Sequence, residues 1–212
     1  MLPDNVKEEV KKEFEKLQNP VKLVVFTQEL ECQYCKENYQ LALEVASLSD
    51  KISIEAYNFA IDKKKVEEYG IDKIPAIVVE GEKDYGIRFY GIPGGYEFSS
   101  LVEGIKIVGL RDSGLSEESK SSLKKIDKPI HIQVFITLTC PYCPRAVHTA
   151  HQLAMESDFI KADMIEAQEF PHLANKYNVY AVPKVVINEK VQFEGALPES
   201  AFLAQVMSAL ET

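Results

Sequence analysis

The sequence predicts an α/β protein built from two tandem copies of one unit, and three observations lead to that prediction. All four cysteines fall in two C-x-x-C motifs, Cys32–Cys35 and Cys140–Cys143, which lie 108 positions apart. The same offset relates Pro75 to Pro183, each 43 residues after the first cysteine of its motif. The strand and helix patterns also recur in the same order. Self-similarity at a fixed offset indicates a duplication.

Each copy begins with a strand that has apolar residues at every second position, and its C-x-x-C motif follows. A helix comes next, because apolar residues recur after each motif at the spacing of one helical face. The residues of these two faces are Cys35, Tyr39, Ala42 and Ala46 in the first copy and Cys143, Val147, Ala150 and Ala154 in the second.

The second half of each copy is also predicted from its pattern. An alternating strand is followed by a short helix ending near Gly70 or Asn178, which tolerate a left-handed helix cap. The apolar run after each proline predicts a central strand, its hairpin partner follows, and a helix closes the copy. A charged helix also precedes each copy, at residues 5–17 and 116–126. The second hairpin strands are predicted at 85–90 and 191–194, and the closing helices at 96–108 and 198–210.

The boundary between the copies is predicted in the sequence GLRDSGLS, residues 109–116, where glycines and small polar residues interrupt the pattern. We therefore divide the chain into a first unit, residues 1–110, and a second unit, residues 111–212. Each unit should hold a mixed sheet flanked by helices.

Composition argues against several classes of protein. The net charge is -9 and no block of Lys or Arg exceeds three residues, so a nucleic-acid partner is not expected. No apolar run approaches the roughly 20 residues of a membrane span. The charged N-terminus lacks the apolar core of a secretory signal. We expect a cytoplasmic protein without a membrane partner, in which paired cysteines are catalytic or metal-binding more often than structural.

The cysteine pairs allow three interpretations. Structural zinc motifs place their cysteine pairs closer together than these two, although His148 and His151 follow the second pair. A structural disulfide across three positions would remove little entropy from the unfolded chain. The third interpretation, a dithiol–disulfide redox site without metal or organic cofactor, fits the strand-to-helix position best, because a helix start stabilises a thiolate.

In this interpretation the leading cysteines, Cys32 and Cys140, are exposed nucleophiles, and the trailing cysteines, Cys35 and Cys143, are buried resolving thiols. Nearby charges should tune the two sites differently. Arg145 should favour a thiolate at the second site, whereas Glu31, directly before the first motif, should oppose one.

These motifs resemble the thioredoxin/glutaredoxin superfamily, and the tandem copies resemble its two-unit, glutaredoxin-like protein disulfide oxidoreductases, relatives of protein disulfide isomerase. The resemblance implies two thioredoxin-fold units. It also implies that Pro75 and Pro183 are cis prolines which face the cysteines and bind substrate together with the preceding Ile74 and Val182. Tyr34 and Tyr142, inside the motifs, are expected beside the bound substrate.

The predicted activity is thiol–disulfide exchange with protein substrates through mixed disulfides. A flavoprotein similar to thioredoxin reductase is the expected electron partner by resemblance. Two alternatives stay open: a dedicated electron relay to one client such as a peroxidase, and a non-enzymatic peptide-binding holdase in which the cysteines are dispensable.

Overall fold

The computed structural model describes residues 2–211, and the predicted elements are present with ends shifted by up to three residues. The first unit contains α1 Asp4–Phe14, β1 Val21–Thr27, α2 Cys35–Ala46, β2 Ile52–Asn58, α3 Lys63–Tyr69, β3 Ala76–Glu80, β4 Asp84–Tyr90, a 3₁₀ turn Gly95–Glu97 and α4 Phe98–Leu110. The second contains α5 Glu117–Leu123, β5 Ile130–Ile136, α6 Cys143–Glu156, β6 Ile160–Glu166, α7 Pro171–Lys176, β7 Lys184–Ile187, β8 Val191–Glu194 and α8 Glu199–Glu211.

The predicted helix ends are confirmed where the sequence offered a specific signal. Gly70 and Asn178 follow α3 and α7 with positive φ values of 61° and 51°. The side chain of Ser116 caps α5 by accepting a hydrogen bond from the backbone N–H of Ser119 at 3.2 Å. Small polar residues at a helix N-cap satisfy amides that the helix leaves free.

All eight strands form one sheet in the order β2-β1-β3-β4-β6-β5-β7-β8. In the first unit β1 pairs in parallel with β2 and antiparallel with β3, and β3 and β4 form a hairpin. The second unit repeats this arrangement with β5, β6, β7 and β8. The mixed sheet predicted for each unit is therefore confirmed. The parallel pairing of β4 with β6, which joins the two units into one sheet, was not predicted.

The seam between the units depends on a close approach of two backbones. Gly86 has φ 81°, and a Cβ atom there would lie 2.5 Å from the carbonyl oxygen of Ile160, so any larger residue would force the strands apart. Buried charges at the seam are paired, as burial requires. Arg88 donates to Asp84 Oδ1 at 2.7 Å, and His131 Nε2 lies 2.5 Å from Asp163 Oδ2.

Helices cover both faces of the sheet. One large core lies under α2, α4, α6 and α8 and continues from the first unit into the second. A smaller core on the opposite face packs against α3 and α7. Strand side chains alternate between the two, as Leu23 and Val25 enter the large core whereas Val24 and Phe26 enter the small one. Within residues 2–211, the helices are too short or too polar to cross a membrane.

Candidate active site

Both C-x-x-C motifs lie at the same edge of the sheet. Strand β4 runs parallel to β1, because each of them pairs antiparallel with β3. Strands β6 and β5 continue in that direction through parallel pairings, so β1 and β5 run the same way. Each motif follows one of these strands, so the two cysteine pairs face the same side of the molecule. The starts of β3 and β7, preceded by Pro75 and Pro183, lie at this edge too.

Each motif places its two cysteines at the start of a helix. Cys32–Cys35 and Cys140–Cys143 are both disulfides with Cα atoms 5.5 Å apart. The trailing cysteine is the first helical residue, and the leading cysteine lies outside the helix. The backbone N–H of Cys143 donates to Sγ of Cys140 at 3.2 Å. In the second pair, a free amide of the helix start therefore contacts the leading sulfur, where it would stabilise a thiolate.

The burial of the cysteines confirms one prediction and contradicts another. Cys35 and Cys143 are 1% and 0% exposed, as expected for resolving thiols. Cys32 is partly exposed. The prediction of an exposed Cys140 was wrong, since this residue is only 7% exposed.

The first unit packs against the loop that leads into the second motif. The backbone N–H of Tyr96 donates to the carbonyl oxygen of Leu138 at 3.1 Å, two residues before Cys140. A Cβ atom at Gly95 would lie 2.3 Å from the same oxygen, so only glycine allows this approach. The approach to Cys140 therefore lies at the junction of the two units, which the residues next to it in sequence do not reveal.

The prolines have the geometry that the resemblance implies. The Ile74–Pro75 and Val182–Pro183 peptide bonds are both cis. The Sγ atom of Cys140 lies 3.7 Å from the carbonyl oxygen of Val182, which places the second proline loop beside the disulfide. The carbonyl oxygens of Pro75 and Pro183 accept hydrogen bonds from Gly91 and Gly195 at 3.0 and 2.8 Å.

The other residues of the predicted sites lie around the two motifs. Tyr34 and Tyr142 precede the first residues of α2 and α6 and are 37% and 72% exposed. Glu31 has a positive φ of 58° and its side chain is exposed. Arg145 is exposed in the first turn of α6. The substrate-binding role of the tyrosines and the tuning role of the charges stay predictions.

The structure adds a carboxyl group that the sequence did not indicate, Glu97. It ends the 3₁₀ turn that packs against α6, and its side chain is 0% exposed. Its Oε2 accepts from Ser100 Oγ at 2.6 Å, whereas Oε1 has no hydrogen-bond partner among residues 2–211. Burial raises the pKa of Glu97 to about 7. A carboxyl group of this pKa can exchange a proton near neutral pH.

Asn38 is a second buried polar residue near the cysteine motifs that the sequence did not indicate. The sequence places the buried face of α2 on Cys35, Tyr39, Ala42 and Ala46, but Tyr39 and Ala46 are only partly buried. The fully buried residues of α2 are Cys35, Asn38, Ala42 and Val45. A pattern of apolar residues overlooks a buried amide, so no signal in the single sequence marked this position.

The histidines considered for zinc have other environments. His151 is buried at the seam, with Nε2 3.3 Å from the carbonyl oxygen of Arg88 and its ring centroid 4.8 Å from that of Phe89. Burial lowers the pKa of His151 to about 3. Within residues 2–211, no three His, Cys, Asp or Glu side chains are grouped so that they could hold a metal ion.

A family model described as a thioredoxin domain matches the chain twice, at residues 21–103 and 130–208. The chain belongs to the thioredoxin family. The matched segments begin at β1 and β5, so they coincide with the two copies of the fold. Each copy carries one C-x-x-C disulfide, so the chain has two cysteine pairs.

Two solved structures are similar over almost the whole chain. The protein disulfide oxidoreductase from Aeropyrum pernix k1 is 31% identical, with a TM-score of 0.94 and coverage of 100% of this chain and 94% of that one. The NTD_N/C domain of alkylhydroperoxide reductase AhpF from Enterococcus faecalis is 26% identical, with a TM-score of 0.91 and coverage of 97% and 100%.

Curated relatives are longer proteins. The NADH dehydrogenase of Bacillus subtilis is 27% identical over 211 residues, which cover 100% of this chain and 39% of that protein. A component of the alkyl hydroperoxide reductase of Escherichia coli is 26% identical, and the match covers 38% of it. The chain spans about two fifths of the length of these relatives.

Proposed function

We propose that this protein exchanges disulfides with protein substrates at both C-x-x-C sites through mixed disulfides. One observation carries the proposal: two disulfides lie at one edge of a single sheet, each in a motif that starts a helix, with a cis proline at the same edge. Similarity over almost the full length of the Aeropyrum pernix protein disulfide oxidoreductase supports it.

The cysteines divide the reaction between them. In the reducing direction, the thiolate of Cys32 or Cys140 attacks a substrate disulfide, whose S–S bond breaks as one substrate thiolate leaves. The trailing cysteine then attacks the leading sulfur. That step forms the enzyme disulfide, releases the second substrate thiolate and transfers two electrons to the substrate. The oxidising direction is the reverse of these steps.

Glu97 supplies the proton acceptor at the second site. A buried thiol such as Cys143 must lose its proton before it attacks, and a carboxylate whose pKa lies near neutral can accept that proton. Glu97 lies in the turn that packs against α6, and its second oxygen is free. The first unit therefore assists the chemistry of the second.

The substrate side of the site is built by the proline loops. Ile74 and Val182 are partly exposed while the prolines that follow them are buried, so the residue before each proline is available to a substrate backbone. Tyr34 and Tyr142 provide apolar contact area next to the attacking sulfur. A flavoprotein similar to thioredoxin reductase would supply the electrons.

A relay to a peroxidase is the second candidate function, and one observation favours it. The NTD_N/C domain of the Enterococcus faecalis alkylhydroperoxide reductase AhpF has the same two-unit fold, with a TM-score of 0.91. In that case the protein would pass electrons from a flavoprotein to one peroxidase and would reduce unrelated protein disulfides slowly.

The range of protein disulfides that the protein reduces distinguishes these functions. We would measure rates with insulin, scrambled ribonuclease and a bacterial peroxiredoxin, using dithiothreitol as the reductant. Comparable rates on all three support the general oxidoreductase, and a rate confined to the peroxiredoxin supports the relay. A variant with all four cysteines changed to serine should be inactive. If it still prevents insulin aggregation as well as the parent does, the holdase is the correct function.

A further inference from the structure

A buried polar side chain lies about one helical turn after the first disulfide. Asn38 is 0% exposed, and neither its Nδ2 nor its Oδ1 has a hydrogen-bond partner among residues 2–211. A buried amide without hydrogen bonds destabilises a fold, because it loses its contacts with water and gains none in return. Such a group in a native structure therefore requires an explanation.

The position of Asn38 provides one. It follows Cys35 by three residues on the buried side of α2. Side chains three apart on a helix are neighbours, with Cβ atoms about 5–6 Å apart, and helical side chains lean toward the N-terminus. The amide of Asn38 therefore lies over the helical turn that begins with Cys35. In the disulfide, the sulfur of Cys35 is bonded to Cys32 and carries no charge.

The second unit offers a natural comparison. Ala146 stands three residues after Cys143 and is 0% exposed, at the position that corresponds to Asn38. Farther along, Ala42 corresponds to Ala150 and Val45 to Leu153, all of them buried, and α6 also buries Thr149 and His151. In the first turn after the resolving cysteine, the two redox helices thus differ by one buried amide.

We propose that Asn38 is a catalytic residue of the first pair, whose Nδ2 donates a hydrogen bond to the thiolate of Cys35 when the disulfide opens. A substrate thiolate attacks Sγ of Cys32, the Cys32–Cys35 bond breaks, and its electron pair stays on Cys35. A second substrate thiolate then attacks the substrate sulfur of the mixed disulfide. Cys32 leaves as a thiolate, and the substrate has lost two electrons to the enzyme.

Asn38 should act on the equilibrium as well as on the rate. A hydrogen bond to an ionised acceptor is stronger than one between neutral groups, so the amide favours the open, reduced form. A stabilised reduced form means a higher reduction potential and a more oxidising first pair. This inference rests on the proposed function, because it requires the first pair to exchange disulfides.

The test uses a protein that retains only the first pair, Cys140→Ser with Cys143→Ser. Asn38→Leu and Asn38→Ala are each equilibrated with glutathione buffers, and the reduced fraction is measured by alkylation and mass spectrometry. We expect both variants to lower the equilibrium constant for reduction about tenfold, equivalent to about 30 mV for a two-electron couple. The thiolate absorbance of Cys35 in Cys32→Ser should also titrate at higher pH once Asn38 is replaced.

The corresponding substitution in the second unit controls for altered packing. In the protein that retains only the second pair, Ala146→Asn should raise the equilibrium constant for reduction. Thermal unfolding of the oxidised proteins should show Asn38→Leu at least as stable as the parent, because no hydrogen bond is lost in that state. Unshifted equilibria in the Asn38 variants, with a parent that exchanges normally, would overturn the inference alone. A parent whose first pair does not exchange would overturn the proposed function and the inference with it.

Discussion

The two redox sites share one fold but differ in what surrounds them. Cys32 is partly exposed and follows a solvent-facing loop, where Leu30 and Glu31 line a cleft of about 700 Å³ with Ile61. Cys140 is 7% exposed and contacts the second proline loop, and the first unit packs against the residues before it. The loop before the second motif contacts the first unit, whereas the loop before the first motif is open to solvent. Duplication therefore produced two similar motifs in unequal environments.

The largest expected effect tests whether, at both sites, the leading cysteine attacks the substrate and the trailing cysteine resolves the mixed disulfide. Cys140→Ser should abolish turnover in a protein that retains only the second pair, because no nucleophile remains. Cys143→Ser should instead accumulate mixed disulfides with substrate, since nothing resolves them. Cys32→Ser and Cys35→Ser should behave alike in the first unit. Non-reducing gels with mass spectrometry measure the trapped species, and equal trapping by leading and trailing variants would contradict the assignment.

The next effect tests whether the second site depends on the first unit. Glu97→Gln removes the proton acceptor but keeps the shape, so the rate at the second pair should fall about 100-fold at pH 7. The first pair should change less than twofold. Single-pair proteins in stopped-flow reactions with dithiothreitol provide the measurement. If both pairs slow equally, Glu97 serves the fold and not the second site.

Glu97 also predicts a pH dependence of stability. Its pKa is about 7 in the folded protein and near 4.5 when unfolded, so the folded state holds the extra proton between these values. The free energy of unfolding should therefore fall as pH rises from about 4.5 to 7, by at most about 3 kcal/mol. Burial raises the pKa of Glu169 to about 7 as well, so Glu169→Gln is a matched control. Both substitutions should flatten the profile, and only Glu97→Gln should slow the second pair.

A smaller effect concerns the reduction potentials. If Arg145 favours the Cys140 thiolate and Glu31 opposes that of Cys32, the second pair should be more oxidising by about 30 mV, a tenfold difference in equilibrium constant. Exposed charges are screened, so Arg145→Gln and Glu31→Gln should narrow the gap only partly. Glutathione equilibria of the single-pair proteins decide the sign. A more oxidising first pair would contradict the charge argument.

The smallest effect concerns access to the leading cysteines. In the reduced protein, Cys32 should alkylate a few-fold faster than Cys140, because its surroundings are open to solvent. Both should react faster than Cys35 and Cys143. Mass spectrometry after limiting iodoacetamide gives the order. Faster labelling of Cys140 would show that thiolate character at the second site outweighs burial.

The sequence predicted the elements that occur in both copies but not the contacts that join the two units. Strands, helices, motifs and prolines follow from local patterns that occur twice, and each is present in the structure. The β4–β6 seam and the burial of Cys140 depend on contacts between positions far apart in the chain. The pattern of apolar residues does not mark Glu97 or Asn38 as buried. Their burial makes them informative, and burial of single polar residues has no periodic signature.

The parallel pairing of β4 with β6 also has a consequence for the segment that connects α4 to α5. Arg111 and Asp112 are exposed, yet the two halves share a sheet and the large core on either side of them. A protease that nicks the chain between these residues would sever the polypeptide without separating the halves. The link serves to bring the copies together once, during folding. Afterwards the hydrogen bonds of the seam and the shared core hold them together.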